Sequence, residues 1–586
     1  MTGDNPEGAF KLCDQRKAIL ASDGHMLVVG GPGAGKTTIA LLKARRRVLF
    51  NLAPEQRVLF LSFSNSAIRR IVESAAGILA GGIADRVDIK TYHSFAWEIL
   101  SSHGYLTSKR RRLKIVAAQH AAVRAAGLEA DDWLDEQDRL YLEDGLVTYD
   151  QFAPRAAELL KRSSTALECF CSAYPLILVD EFQDTDQDQW TLVQQLSRKS
   201  EIIALGDSEQ RIYEWRQGVS ETRLQEFADT LECERFDFAN ENNRSPATGI
   251  AGFARSLLTP GAMQNLPDEV SWNFFTPGLL GVGLHLSVRE AFREAKARSG
   301  KDHPKIAVAA RSKKLVRSIS DALSTEMTIQ GKLLKAVAHD VLIDQNQILL
   351  SARAIANILS TARADRPTRL AEALDRIADM HRAAANPTNI KESDRLRRWA
   401  DNCRNGEPPN VKCVNALAGV IDQLDKKGLS GSPTVDWRLV RSLLEKADAQ
   451  QLKKTSEQAR FLRLLRRGSA IEQTLISLWA AQGDYQGAET AFEHAMLQEQ
   501  LMDAHRETAA VTVMNLHQLK GREYDAVVLV EDQYNTFRAK DQSPHLMDTR
   551  RLLQVSLTRA RDYVVLLTHK DKPTLEILVG QDDGTL

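Results

Sequence analysis

The stretch GGPGAGKTT (30–38) sets a lysine and two threonines directly behind a glycine-rich turn. Glycines let consecutive backbone amides turn toward a phosphate, and a helix N-terminus behind them adds positive dipole. Lys36 can then reach the β/γ phosphates, and the Thr37 hydroxyl can ligate magnesium. The expected contacts of an ATP triphosphate are therefore Gly31, Gly33, Ala34, Gly35, Lys36, Thr37 and Thr38. A second stretch, LILVDEFQD (176–184), ends an apolar run in paired acids. Asp180 is placed to hold the magnesium shell, and Glu181 to orient or deprotonate the attacking water. With a phosphate loop upstream, this chemistry outweighs the plainer reading of capping or surface acids. Phosphoryl transfer also gains from an arginine that spreads charge off the γ-phosphate, which must come from elsewhere in the chain.

Elements that could position these residues are legible as short Val/Ile/Leu-rich runs. MLVVG (26–30) precedes the glycine turn and IALLKARRR follows it with helix character; RVLFLSFS (57–64), LILVDE (176–181) and EIIALGD (201–207) complete a first set. KIAVAA (305–310), TVMNLH (512–517), AVVLVED (526–532) and YVVLLTH (563–569) form a second. Continuous apolar strands alternating with helices predict parallel sheets buried on both faces, hence an α/β chain with two lobes. Residues 97–150 and 346–505 lack such strands and read as helical, with basic spots SKRRRLK (108–114), RLRRW (395–399) and RLLRRG (463–468). Each basic spot reads first as a solvated helix face and second as a nucleic-acid contact. NGEPPN (405–410) and KKGLSGSPT (426–434) suggest breaks into sub-bundles. GDYQGAETAFEHA (483–495) has the spacing of half a tetratricopeptide repeat, but a single copy cannot stack into a solenoid and reads as a helical hairpin.

At 586 residues the chain is long enough for several domains. Its 77 Lys and Arg balance its 77 Asp and Glu, so nucleic-acid binding must arise from local grooves rather than a global field. No apolar run approaches the roughly 20 residues that span a bilayer. MTGDNPEGAF lacks the basic-then-apolar pattern of a signal peptide, and a cytoplasmic location is expected with no membrane partner. The cysteines (13, 169, 171, 233, 403, 413) offer neither paired CxxC spacing nor four clustered thiolates, so free thiols are expected.

DEFQD (180–184), GDSEQRIYEWRQG (206–218) and SLTRAR (556–561) together resemble the UvrD/Rep/PcrA-type superfamily 1 DNA helicases. The resemblance runs in order along nearly the whole chain: CDQRKAI, LSFSNSAIRRI (61–71), TYHSFAWEIL (91–100), NNRS (242–245), VMNLHQLKGREYD (513–525) and DTRRLLQVSLTRAR (548–561) match further motifs. It implies two RecA-like P-loop lobes with parallel sheets, each carrying a mainly helical insertion. The first lobe would be 1–96 and 151–235 with insertion 97–150, the second 236–345 and 506–586 with insertion 346–505. By resemblance, Gln15 reads adenine, Gln210 senses the γ-phosphate, Arg244 and Arg559 are arginine fingers, and Glu523 touches the ribose. Phe63, Asn65, Tyr92, His93, Trp215 and His517 would line a single-strand track. From its own residues, Phe63 suits core packing as well as base stacking; Trp215, five positions after Gln210, suits stacking at the far end of an ATP-sensing element.

The resemblance implies an ATP- and Mg2+-dependent, 3′→5′ motor on single-stranded or partly duplex DNA. An alternative is a DNA-sensing ATPase that regulates a partner nuclease, similar to the helicase component of antiphage systems such as Gabija. In the family an arginine after GKT and a tyrosine before the motif arginine sandwich adenine. Here those positions are Thr38 and Asn243, and looser discrimination among nucleobases is expected.

Overall fold

The computed structural model describes residues 12–31, 33–63, 65–110, 112–207, 218–238, 249–259, 266–276, 278–329, 331–342, 345–460, 470–502, 509–538, 543–571 and 574. The chain divides into two compact units: Met1–Leu106, Ala153–Ile343 and Ala504–Leu586 form the first, Thr107–Phe152 and Asp344–Asp503 the second.

The first unit holds two parallel six-stranded sheets. In chain order β1 (Met26–Gly30), β2 (Val58–Ser62) and β3 (Val87–Thr91) precede a short pair in the second unit, β4 (Lys114–Val116) and β5 (Leu146–Thr148); β6 (Leu176–Val179), β7 (Glu201–Gly206) and β8 (Glu234–Phe238) follow. The first sheet runs β3-β2-β6-β7-β1-β8 with every pairing parallel. Its central strands are buried residue after residue, as expected of strands covered on both faces. The second sheet is built from β9 (Val270–Phe275), β10 (Ile306–Ala310), β13 (His339–Val341), β14 (Val511–Asn515), β15 (Tyr524–Val530) and β16 (Ala560–His569), with a hairpin β11–β12 (Met327–Ile329, Lys332–Leu334) beside it in sequence. Its order is β13-β14-β10-β15-β16-β9, again all parallel. The architecture is α/β with two RecA-like lobes. Parallel order matters for function because it sends every strand's carboxyl end to one edge of its sheet, where ligands of such folds are held.

The first lobe extends past the boundary at 97 drawn from sequence. Helix Tyr92–His103 runs straight through it, because Phe95 packs edge-on against Phe170 (6.1 Å) and Tyr174 (5.8 Å) in the lobe core. The second unit gathers both helical insertions. Its core runs without interruption from helix Gln345–Ser360 through Lys412–Lys427 to Ala488–Met502, so the Gly/Pro-rich pieces are turns within one core rather than breaks between sub-bundles. The repeat-like segment is the turn and second arm of a helix pair, Ala470–Gln482 and Ala488–Met502. Tyr485 in that turn is fully buried and donates its hydroxyl to Asp436 Oδ2 at 2.8 Å, a structural role.

Candidate active site

Four carboxyl ends of the first sheet carry the site. β1 delivers the glycine turn, β2 delivers Phe63, β6 delivers Asp180 and Glu181, and β7, between β6 and β1, delivers Asp207. Helix Lys36–Phe50 starts directly behind the turn, with Gly35 as its N-cap at φ +83°, a left-handed conformation that favours glycine. Gly30 is needed for a different reason: a Cβ there would sit 3.0 Å from those of Ala34 and Phe238. The Lys36 ammonium lies over the carbonyls of Gly30 and, at 3.1 Å, Gly31, and 4.0 Å from Asp207 Oδ2. Thr37 and Thr38 follow in the first helical turn, half-buried, and Gly31 and Ala34 are buried while Gly33 takes φ +79°.

The helix Asp14–Ala21 braces this turn. Arg16 donates to the Ala34 carbonyl at 2.9 Å and its guanidinium lies 4.8 Å over the Phe238 ring. Gln15, the expected adenine reader, is exposed one residue away. Arg16 was not legible in the sequence, since a basic residue in an N-terminal amphipathic stretch reads as solvated.

The acidic motif is tightly organised. Asp180 is buried, with its amide bonded to the Leu61 carbonyl of β2 at 2.9 Å. Glu181 takes a left-handed φ of 52°, an uncommon conformation for a residue with a side chain and one that clusters at functional sites. Gln183, fully buried, donates to Glu181 Oε2 at 2.7 Å and accepts the Asp207 N–H at 3.0 Å. One amide side chain therefore orients the Glu181 carboxylate and holds the residue at which segment 208–217 begins. The other end of that segment is held too. Arg223, 1% exposed, donates to the carbonyls of Gly218 and Thr185 and to Gln187 Oε1, all at 3.1 Å, and to Glu226 at 2.6 Å. Sequence reading missed both: Gln183 lay unremarked inside a motif, and an arginine on a helix ordinarily faces water.

The second lobe meets this motif directly. Lys520 Nζ lies 2.5 Å from Asp184 Oδ2, and both side chains are almost wholly buried. Lys520 follows β14, where Asn515 caps a short 3-10 turn by accepting the His517 N–H at 3.0 Å. Motifs in order along two parallel sheets, with this buried pair between them, are the pattern of UvrD/Rep/PcrA-type superfamily 1 helicases, and the chain is similar to that family over nearly its whole length. A family profile described as "AAA domain" matches residues 15–216, and one described as "UvrD-like helicase C-terminal domain" matches residues 510–567. DNA helicase II of Haemophilus influenzae is 24% identical across 93% of this chain and 82% of its own length. ATP-dependent DNA helicase PcrA of Staphylococcus aureus is 22% identical over 98% of this chain and 84% of its own. PcrA of Bacillus subtilis is 27% identical over 36% of this chain and 34% of its own.

Placement of the remaining expected residues differs from one to the next in this UvrD-like chain. Gln210 and Trp215 (208–217) and Asn243 and Arg244 (239–248) lie outside the described residues. Phe63 and His93 are half-buried, and Asn65 opens helix Asn65–Ala76. Tyr92, expected on the strand track, is 2% exposed; its hydroxyl is 3.4 Å from that of Thr185, and burial pushes its pKa up. Glu523, expected at the ribose, pairs with Arg561 at 2.8 Å, and Arg559 is 1% exposed, donating to the Val555 carbonyl at 3.0 Å and Thr558 Oγ1 at 3.1 Å. The cysteines are free thiols.

His517 carries a pH prediction. Burial first, and the Arg311 charge second, push its pKa down to about 4 from 6.5. The folded chain thus binds fewer protons than the unfolded chain between these values. The stability contribution is full above pH 6.5 and is lost as pH falls toward 4. We expect His517→Gln to be less acid-sensitive than wild type over that window by on the order of 2 kcal/mol. Urea unfolding at pH 7 and pH 5 checks this; parallel losses in both proteins would contradict it.

Proposed function

We propose that this chain is an ATP-driven motor on single-stranded DNA, a DNA-dependent ATPase and helicase. Lys36 and the loop amides bind the triphosphate. Glu181, aimed by Gln183, orients the attacking water. Gln210, Arg244 and Arg559 respond to the γ-phosphate, with Gln15 and Glu523 toward the nucleoside. Thr37 and Asp180 supply the oxygen donors that suit a hard cation such as Mg2+, which takes few protein ligands and keeps several waters. When bound, the ion neutralises phosphate charge; the chain's own part is to hold the two oxygens at the mouth of the phosphate loop. Phe63, Asn65, His93, Trp215 and His517 face the strand, and the polarity of movement is 3′→5′.

The single observation that carries this reading is the Gln183 bridge. It joins Glu181 to Asp207, so one side chain bonds both the carboxylate that works on ATP and the residue that precedes the segment bearing Gln210 and Trp215. A motor needs such a link, since nucleotide state must reach the residues that grip the strand. DNA-acting relatives matched across more than four-fifths of their length support the substrate class.

A strand-displacement assay with the full chain tests it. Unwinding of a 3′-tailed duplex that depends on ATP is expected. Single-strand-stimulated hydrolysis without displacement would instead favour a sensor that regulates a partner nuclease in defence, and no stimulation by DNA would contradict the proposal.

A further inference from the structure

Among the described residues, Tyr534 is the most exposed large aromatic or aliphatic side chain, at 84%. A tyrosine left so open on a floppy tip would mean little, but this one stands on a clamped loop. Asp532 Oδ1 accepts the amides of Tyr534 (2.8 Å) and Asn535 (2.6 Å), and the Asn535 side-chain amide donates back to both Asp532 oxygens at 3.0 Å. Asn535 Oδ1 accepts from Ser312 Oγ at 2.7 Å, tying the loop to the end of β10. Beyond the apex, Phe537 is fully buried; its N–H donates to buried Glu531 at 2.9 Å and its carbonyl accepts from Arg311 at 2.6 Å. Glu531 is in turn bonded by Thr574 through both N–H (2.8 Å) and hydroxyl (2.6 Å). The backbone is pinned on both sides of a ring that touches water.

Its place in the sheet gives it a meaning. β10, β14 and β15 are neighbours, paired in register at Ala310, Asn515 and Val530, so Arg311, His517 and the Tyr534 loop all leave the same carboxyl edge. Arg311 spans them, bonding the Phe537 carbonyl and lying close enough to His517 to depress its titration. A rigid exposed aromatic needs little ordering on binding, and base stacking is indifferent to sequence, as a translocating grip requires. We propose that Tyr534 is a stacking platform for an unpaired nucleobase on the second lobe, on the side of the strand site marked by His517. This rests on the single-strand reading above.

The test measures the affinity of the full chain for a fluorescein-labelled oligothymidylate by anisotropy across a salt series, for wild type, Tyr534→Ala and Tyr534→Phe. Tyr534→Ala should weaken binding by on the order of 10–100-fold, the loss of one stacked base. Tyr534→Phe, which keeps the ring, should stay within about twofold of wild type. The slope of log affinity against log salt should be the same in all three, because a stacking contact releases no counter-ions. Unchanged affinity in Tyr534→Ala, with wild type binding normally, would overturn the platform alone and assign the ring to another partner such as a protein. Tyr534→Phe as weak as Tyr534→Ala, at an unchanged slope, would make it an uncharged phosphate contact through the hydroxyl and also overturn it. Failure of wild type to bind the oligonucleotide would sink both this and the proposed function.

Discussion

Lys36→Ala is expected to cut ATP hydrolysis by on the order of 10²–10³-fold or more, the cost of losing a preorganised group aimed at developing phosphate charge. The position of the side chain makes the expectation specific. Its ammonium already lies along the turn, over the Gly30 and Gly31 carbonyls and 4.0 Å from Asp207, so only a short reorientation brings it onto a phosphate. No other lysine occupies the turn to take over. Steady-state hydrolysis with and without single-stranded DNA checks this. Single-strand binding without nucleotide should survive, since the residues proposed to face the strand sit on other elements. Residual hydrolysis within tenfold of wild type would remove Lys36 from the phosphate site.

The second large effect concerns the buried Lys520–Asp184 pair. Removing one partner leaves the other charge buried and uncompensated, which costs roughly 3–5 kcal/mol, while removing both is far milder. Lys520→Met and Asp184→Asn should each destabilise the lobe core strongly, and the double variant should recover most of the loss. Chemical unfolding monitored in the single and double variants gives the coupling energy. Additive losses would mean that the two charges are held independently, and the lobes would not communicate through this contact.

What was legible in the sequence follows a physical line. The central strands β1, β2, β6, β7, β10, β14, β15 and β16 were readable because burial on both faces requires unbroken apolar runs. β3 (VDIKT), β8 (ERFDF), β9 (VSWNFF) and β13 (HDV) were not singled out, and every one of them is an edge strand, partly wetted and therefore mixed in composition. The phosphate loop and the acidic pair were legible because their chemistry demands fixed residue types at fixed spacing. Gln183, Arg16 and Arg223 were not, because a glutamine or arginine carries the same letter whether it faces water or orders a site; only the fold reveals which carbonyls it meets. Tyr92 shows the same limit from the other side. Its motif position puts it along a strand track only by resemblance, while its place at the start of helix Tyr92–His103, after the Thr91 cap, turns it inward against Thr185.

The central claim is that strand contact and ATP chemistry are one coupled process, transmitted through the segment that Gln183 and Arg223 hold at its two ends. The most direct measurement is the hydrolysis rate of the full chain titrated with oligothymidylate, for wild type and Trp215→Ala. The account predicts a saturable rise of about tenfold or more in wild type, and loss of most of that rise in the variant, whose missing stacked base is worth ~1–3 kcal/mol. A wild-type rate indifferent to the strand, or equal stimulation of both proteins, would contradict it.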